Sequence, residues 1–120
     1  MPLSMGIDII EIHRITRAIN RWGDRFLGRV YTPAEIAFCR GRVSELAVRF
    51  AGKEAISKAL GTGLMGVSWR EMEILPDRLG KPLVILHGRA LARAQVLGLR
   101  EFAISLSHSQ EYAVASVVAM

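Results

Sequence analysis

Cysteine is nearly missing from this sequence. The one residue present, Cys39, cannot close an internal disulfide, and neither it nor the three histidines fall at a spacing that would hold zinc. A bound metal would therefore rest on carboxylates, whose hard oxygens suit magnesium, or manganese in its place. Long apolar runs are missing too. No stretch reaches the roughly 20 residues needed to cross a bilayer, and Met1-Pro2-Leu3-Ser4 lacks a secretory pattern, so a cytoplasmic protein with no membrane span is expected. With no repeat or low-complexity segment and 51% hydrophobic residues, residues 1–120 are expected to form one compact domain with a real core. Acids are the scarcer charge: 11 Asp and Glu stand against 16 Lys and Arg, a formal net charge of +5. That excess points to anionic partners, namely nucleic acid, a phosphorylated cofactor or an acidic protein. A chain of 120 residues is short for a self-contained cleft, so a site completed at a subunit boundary is expected.

What is present centres on Phe50 to Gly66. In a helix, at about 100° per residue, Glu54 and Lys58 stand one turn apart and act on one spot. Ala47 and Ala51 share their sector, with Phe50 and Ala55 at its sides, so the two charges emerge from an apolar stripe. Arg49, Lys53 and Ser57 are assigned to the wetter side. A charge on a core-facing stripe costs several kcal/mol unless it meets a counter-charge, a metal or a ligand. The plain alternative is an i,i+4 helix pair worth about 0.2 to 0.5 kcal/mol. Gly61, Gly63 and Gly66 imitate a dinucleotide-binding spacing, but that motif needs a strand before it and a helix after it. Here a helix precedes, which makes Gly61 a left-handed C-cap and Thr62-Gly63 a tight loop whose backbone can approach a phosphate.

Upstream, Met5 to Ile10 reads as a strand with Ile7 and Ile9 on one face and Asp8 on the other. Asp8 either caps the next helix, marks a sheet edge or belongs to a site. From Glu11 the period changes: Ile12, Ile15, Ile19, Trp22 and Phe26 describe one amphipathic helix. His13, Arg17, Arg21 and Arg25 recur every four residues on its other side, a basic ridge flanked by Arg14 and extended by Arg29, with only Glu11 and Asp24 to balance it. Thr32-Pro33-Ala34-Glu35 is a capping box that starts a short helix, ended by Arg40-Gly41-Arg42. Ser44 is read as the cap of the long central helix. Val67 to Leu75 and Leu83 to His87 are read as an antiparallel hairpin, and Gly88 to Leu97 as a helix with Leu91, Ala94 and Leu97 as its apolar stripe. Phe102 to Ser107 and Tyr112 to Ala119 make a final hairpin. One strand, then helices, then antiparallel strands indicate an α+β fold, an antiparallel sheet packed with a long central helix.

Ser107-His108-Ser109 does not make a nucleophilic triad, because neighbours in a strand point to opposite faces and no G-x-S-x-G elbow is present. His108 itself is either a half-buried hydrogen-bonded histidine or an anion contact where a strand meets a turn. Asp8, Glu54 and Lys58, with His108 as a further candidate, then offer two acids for a divalent ion and one cation for phosphate, the components of metal-assisted phosphoryl transfer or hydrolysis. A small basic nucleic-acid-binding module is the rival class. The scarcity of surface aromatics near the arginines and the two acids outside any phosphate-contact role disfavour it.

The run Arg49 to Gly63 resembles the F-x-x-K-E-A-x-x-K-A-x-G-T-G signature of the holo-acyl-carrier-protein synthases, the small bacterial-type 4′-phosphopantetheinyl transferases. Gly6-Ile7-Asp8-Ile9-Ile10-Glu11-Ile12-His13-Arg14-Ile15 is similar to the other signature of that family, and Gly80-Lys81-Pro82 and Leu106-Ser107-His108-Ser109 match as well. Ser4 departs from it, standing where many members carry a further glycine. The resemblance implies transfer of 4′-phosphopantetheine from coenzyme A to a serine of apo-acyl carrier protein, with release of adenosine 3′,5′-bisphosphate, in support of fatty acid biosynthesis. It implies that Asp8 and Glu54 ligate magnesium together with the coenzyme A diphosphate, with Glu54 helping to deprotonate the serine and Lys58 neutralising diphosphate charge. Arg49, Lys58, Gly61, Thr62, Gly63 and His108 would contact the coenzyme A. Arg14, Arg17, Arg21 and Arg25 would dock the acidic carrier protein, leaving nucleic acid with no role. Members form homotrimers with sites at subunit boundaries. The broader transferases of the same superfamily are about twice this length, in two tandem copies, which argues against that alternative.

Overall fold

The computed structural model describes residues 2–120. Strand β1 (Ser4–Glu11) runs straight into helix α1 (Ile12–Trp22), followed by α2 (Asp24–Val30), α3 (Pro33–Cys39) and the long α4 (Val43–Ala59). Strands β2 (Met72–Pro76) and β3 (Pro82–Leu86) form a hairpin, α5 (Gly88–Leu97) follows, and β4 (Phe102–His108) and β5 (Tyr112–Ala119) close the chain. β5 lies between β1 and β4 in a three-stranded antiparallel sheet, and β2–β3 make a separate two-stranded sheet. The α+β architecture matches the expectation from the sequence.

Helix α4 lies across the inner face of the three-stranded sheet. Ala47, Ala51, Ala55 and Ala59, each one turn from the next, are buried, and the sheet answers with the equally small Ala113 and Ala115. The backbones come so close that a Cβ on Gly6 would stand 1.9 Å from the carbonyl oxygen of Ala55. Only glycine fits this crossing.

Five local expectations are corrected. Arg49, Lys53 and Ser57 do not face water: they are 2%, 0% and 2% exposed, because α3 and the β2–β3 hairpin cover that side of α4. α4 begins at Val43 after Arg42, and Ser44 does not cap it. The helix expected to continue through Phe26 breaks at Gly23, so Arg21 and Arg25 belong to different helices. The strand expected from Val67 starts only at Met72, because Trp69–Glu71 winds into a 3-10 turn, tied by the Ser68 amide donating to Glu71 Oε1 at 2.8 Å. On α5, Ala90 and Ala94 are buried while Leu91 stays 42% exposed.

The capping box at Thr32 forms as read, with Glu35 N donating to Thr32 Oγ1 and Thr32 N to Glu35 Oε1. Gly61 follows α4 at φ +75°, the left-handed conformation that closes a helix. The outer face of the three-stranded sheet carries Met5, Ile7 and Ile9 of β1 at 69%, 62% and 62% exposure, opposite Val118, Ser116 and Val114 of β5.

Candidate active site

Alternation along β1 turns Gly6, Asp8 and Ile10 toward α4 and Met5, Ile7 and Ile9 outward. Asp8 caps no helix. It sits at the crossing of β1 and α4, where the Lys58 ammonium donates to its Oδ1 at 3.0 Å and to the Ile7 carbonyl at 2.9 Å. Two of the three ammonium hydrogens are used, so one remains for an anion. Lys58 is half-exposed at its side chain and Asp8 is largely covered.

Glu54, one turn before Lys58, faces the same crossing. Burial pushes its carboxyl above the usual carboxylate range and the Asp8 charge adds to the push, while Lys58 and Arg14 pull it back. The structure therefore brings Asp8, Glu54 and Lys58 together and adds Arg14, which the sequence reading assigned only to the basic ridge. The Glu54 carboxylate takes no hydrogen bond or ion pair among the described residues. Two hard carboxylates confronting each other, one of them unpartnered, suit a divalent ion that takes few protein ligands. Among the described residues no group of three His, Cys, Asp or Glu side chains is arranged to hold a metal. Magnesium characteristically keeps water and substrate phosphate in its remaining positions, so the donor set fits.

The residues expected to contact coenzyme A divide between two places along α4. Gly61, Thr62 and Gly63 lie just past its C-terminal end, near Lys58. Arg49 and His108 line a hollow of ≈ 440 Å³ together with Lys81, Phe38 and Pro82. Arg49 and Lys58 are nine positions apart on the helix, about 13 Å along its axis. The Arg49 guanidinium is already engaged: Nε donates to the Ile74 carbonyl at 3.0 Å and Nη1 to Glu45 Oε1 at 2.8 Å. His108 is exposed and not half-buried, because β4 runs on past the edge of the core. Strand register sets His108 opposite Ala113, and Ala113 opposite Ile10, so His108 shares the inner face of the sheet with Ile10, two strands or about 10 Å away, and with Asp8, two residues back along β1 and about 12 Å away. Lys81 was missed by the sequence reading. Its signal was its place in Gly80-Lys81-Pro82, between two residues that set the turn.

The ridge arginines lie on one side of the molecule. Arg14, Arg17 and Arg21 line one open groove with Trp22, and Arg25 and Arg29 line the next, with Phe26, Phe50 and Trp69 as its aromatic floor. The break at Gly23 does not scatter them, because the guanidinium groups of Arg21 and Arg25 lie 4.9 and 6.0 Å from the Trp22 ring centre. His13 turns aside to Glu11, 4.0 Å away.

A second group of charges centres on a fully enclosed pair, Lys53 and Glu35. Lys53 Nζ donates to Glu35 Oε1 at 2.8 Å, Met72 O at 2.6 Å and Trp69 O at 3.1 Å. Burial pulls its ammonium below the ordinary lysine range, with Glu35 opposing that pull. Glu73 receives the Thr32 hydroxyl and lies 3.0 Å from His87 Nε2; burial raises its carboxyl, but these partners outweigh that and leave it lowered.

A strand aspartate and a helix glutamate converging beside a lysine, on an α+β frame with a basic flank, define a phosphate-handling transferase site. Residues 4–117 match the 4′-phosphopantetheinyl transferase superfamily, and the chain belongs to it. It is 50% identical over 122 residues to the holo-acyl-carrier-protein synthase of Koribacter versatilis and 51% identical over 125 residues to that of Herpetosiphon aurantiacus, covering 98% of both chains in each case. Its fold superposes on the crystal structure of the Helicobacter pylori holo-acyl-carrier-protein synthase in complex with coenzyme A with a TM-score of 0.89, at 33% identity, covering 97% of this chain and 99% of that one. The Neisseria meningitidis enzyme gives 0.88 at 38% identity, covering 98% and 97%.

Proposed function

We propose that this chain catalyses the holo-acyl-carrier-protein synthase reaction, transferring 4′-phosphopantetheine from coenzyme A to a serine of apo-acyl carrier protein and releasing adenosine 3′,5′-bisphosphate. The observation that carries this reading is the convergence of Asp8, Glu54 and Lys58 within a chain matched along its whole length by proteins of that name. Asp8 and Glu54 are the residues that would hold magnesium, or manganese in its place. Such an ion, when bound, supplies Lewis-acid neutralisation of a diphosphate.

The side chains account for the remaining chemistry. Glu54 accepts the proton of the incoming serine hydroxyl, directly or through a water. The serine oxygen bonds to the phosphorus of phosphopantetheine as the bond from that phosphorus to the departing adenosine bisphosphate breaks. The remaining ammonium hydrogen of Lys58 meets the charge that develops on the diphosphate. Arg49, Lys81 and His108 hold the phosphates farther along α4, and the backbone of Gly61, Thr62 and Gly63 approaches the substrate without side chains in the way. Arg14, Arg17, Arg21 and Arg25 dock the acidic carrier. The exposed apolar face of the sheet supports assembly of a single-domain protomer into a homotrimer, in the cytoplasm, serving fatty acid biosynthesis.

Incubation with coenzyme A, magnesium and an apo carrier protein, followed by intact-mass measurement of the carrier, is expected to show a gain of one phosphopantetheine. A carrier of unchanged mass overturns the proposal.

A further inference from the structure

The contact between α4 and the sheet is smooth. Ala47, Ala51, Ala55 and Ala59 repeat every turn against Gly6, Ala113 and Ala115, so sliding the helix by one turn, about 5.4 Å, presents an alanine to the same strand again. Small side chains interlock little, so on this face the setting of α4 is marked by the close approach at Gly6 and by hydrogen bonds at the C-terminal end of the helix, from the Ser4 hydroxyl to the Ala59 carbonyl and from Lys58 to Ile7 and Asp8, with nothing to mark its N-terminal half. Yet Glu54 and Lys58 meet Asp8 only at one setting of the helix.

The opposite face of α4 holds what the alanines lack. Lys53 and Glu35 are both 0% exposed and 2.8 Å apart. Each ammonium hydrogen of Lys53 has its own acceptor, on Glu35 of α3, on the Trp69 carbonyl of the 3-10 turn and on the Met72 carbonyl of β2. Glu35 is held as firmly, by the Thr32 amide at 2.9 Å and by the Ile74 amide of β2 at 2.9 Å. Direction, distance and donor count are all specified, so no neighbouring setting of the helix satisfies them. A buried ion pair is a poor source of stability, since apolar residues of similar size commonly hold a fold as well or better. Stability alone therefore does not explain two enclosed charges in a chain this small.

We propose that the Glu35–Lys53 pair is a positioning device: it fixes the height and rotation of α4 against α3 and β2, and through the adjoining Glu54 and the following turn it sets the geometry in which Glu54 and Lys58 meet Asp8. Lys53 contacts neither Asp8 nor the Glu54 carboxylate and has no chemical part in the reaction. The inference rests on the proposed function for its activity readout, and on divalent-ion binding for a readout that does not need activity.

The test is the double variant Glu35→Met/Lys53→Met, which replaces both charges with apolar chains of similar length. Its thermal midpoint is expected to stand at or above that of the wild type, while its kcat for carrier modification falls about 10²-fold, the usual cost of misplacing a catalytic group by 1 Å. Binding of Mn2+, followed by electron paramagnetic resonance without coenzyme A or carrier, is expected to weaken about tenfold, the scale seen when the support of a metal ligand is lost. A folded double variant with wild-type kcat and wild-type Mn2+ affinity overturns the inference. If the double variant does not fold, Glu35→Gln, which keeps the shape and removes one charge, is read on the same two scales, and wild-type values for both overturn it. A wild type that binds Mn2+ but leaves the carrier unmodified defeats the proposed function alone, and the Mn2+ titration of the variants then decides the inference.

Discussion

A carboxylate held half-buried beside another carboxylate is under electrostatic pressure, and at Glu54 that pressure has a measurable sign. The folded protein binds the Glu54 proton more tightly than the unfolded chain does, because burial and Asp8 both raise its carboxyl. From about pH 4, where a free carboxylate titrates, up to the raised folded value, the native state holds the extra proton, so stability is lost as pH rises through that window. Glu54→Gln removes the titration. Without divalent ions it is predicted to melt above the wild type at about pH 7, with the gap closing toward about pH 4; a gap that does not change with pH contradicts the assignment. The arginines separate at the same scale. Arg21 lies beside Trp22 and away from the acids, so Arg21→Glu is predicted to raise the KM for carrier and spare the KM for coenzyme A. Arg14 reaches the field of Glu54, so Arg14→Glu is predicted to lower kcat as well. Equal profiles for the two variants in steady-state kinetics would count against this division.

At the scale of elements, what was legible in the sequence was local. Thr32 to Glu35 announces its helix because the capping partners are three residues apart, and Gly61 and Gly98 mark helix ends at φ +75° and +73°. The strand carrying Asp8 followed from alternation alone. What escaped was set by contacts distant in sequence. Nothing within α4 tells that α3 and β2 will cover Arg49, Lys53 and Ser57: Ser57 bonds the nearby Glu54 carbonyl and Arg49 pairs with Glu45, but the Glu35, Trp69 O and Met72 O acceptors of Lys53 lie 16 or more residues away and the Ile74 O acceptor of Arg49 lies 25 away. The break at Gly23 was masked because the apolar spacing runs on from Ile19 to Phe26 across it. The crossing of β1 and α4 is the tightest join in the fold and gives the clearest structural prediction. Gly6→Ala would drive a methyl group into the Ala55 carbonyl, and is predicted to cost about 1–3 kcal/mol or more in denaturant unfolding, with loss of activity as Asp8 is displaced. An unchanged midpoint would show that the two backbones do not meet there.

At the scale of the whole molecule, helices cover one face of the three-stranded sheet and leave the other bare. Met5, Ile7 and Ile9 form an exposed apolar row on β1, a feature that supports the proposed assembly. Of the β-branched residues that made β1 recognisable as a strand, Ile10 serves the core and Ile7 and Ile9 do not, which the sequence pattern had no means of telling. Ile9→Asp is predicted to convert a trimer to a monomer in sedimentation equilibrium; a wild type that sediments as a single chain contradicts the assembly. In the proposed function the basic flank would receive the acidic carrier and the carboxylate pair would face the diphosphate, and that reading depends on Asp8 and Glu54 sharing a cation. The most direct measurement is anomalous scattering from crystals grown with Mn2+ and coenzyme A. The account predicts a single manganese peak with an oxygen of Asp8 and an oxygen of Glu54 each at about 2.1 Å. A manganese held by the diphosphate alone, with either carboxylate outside coordination distance, would contradict it.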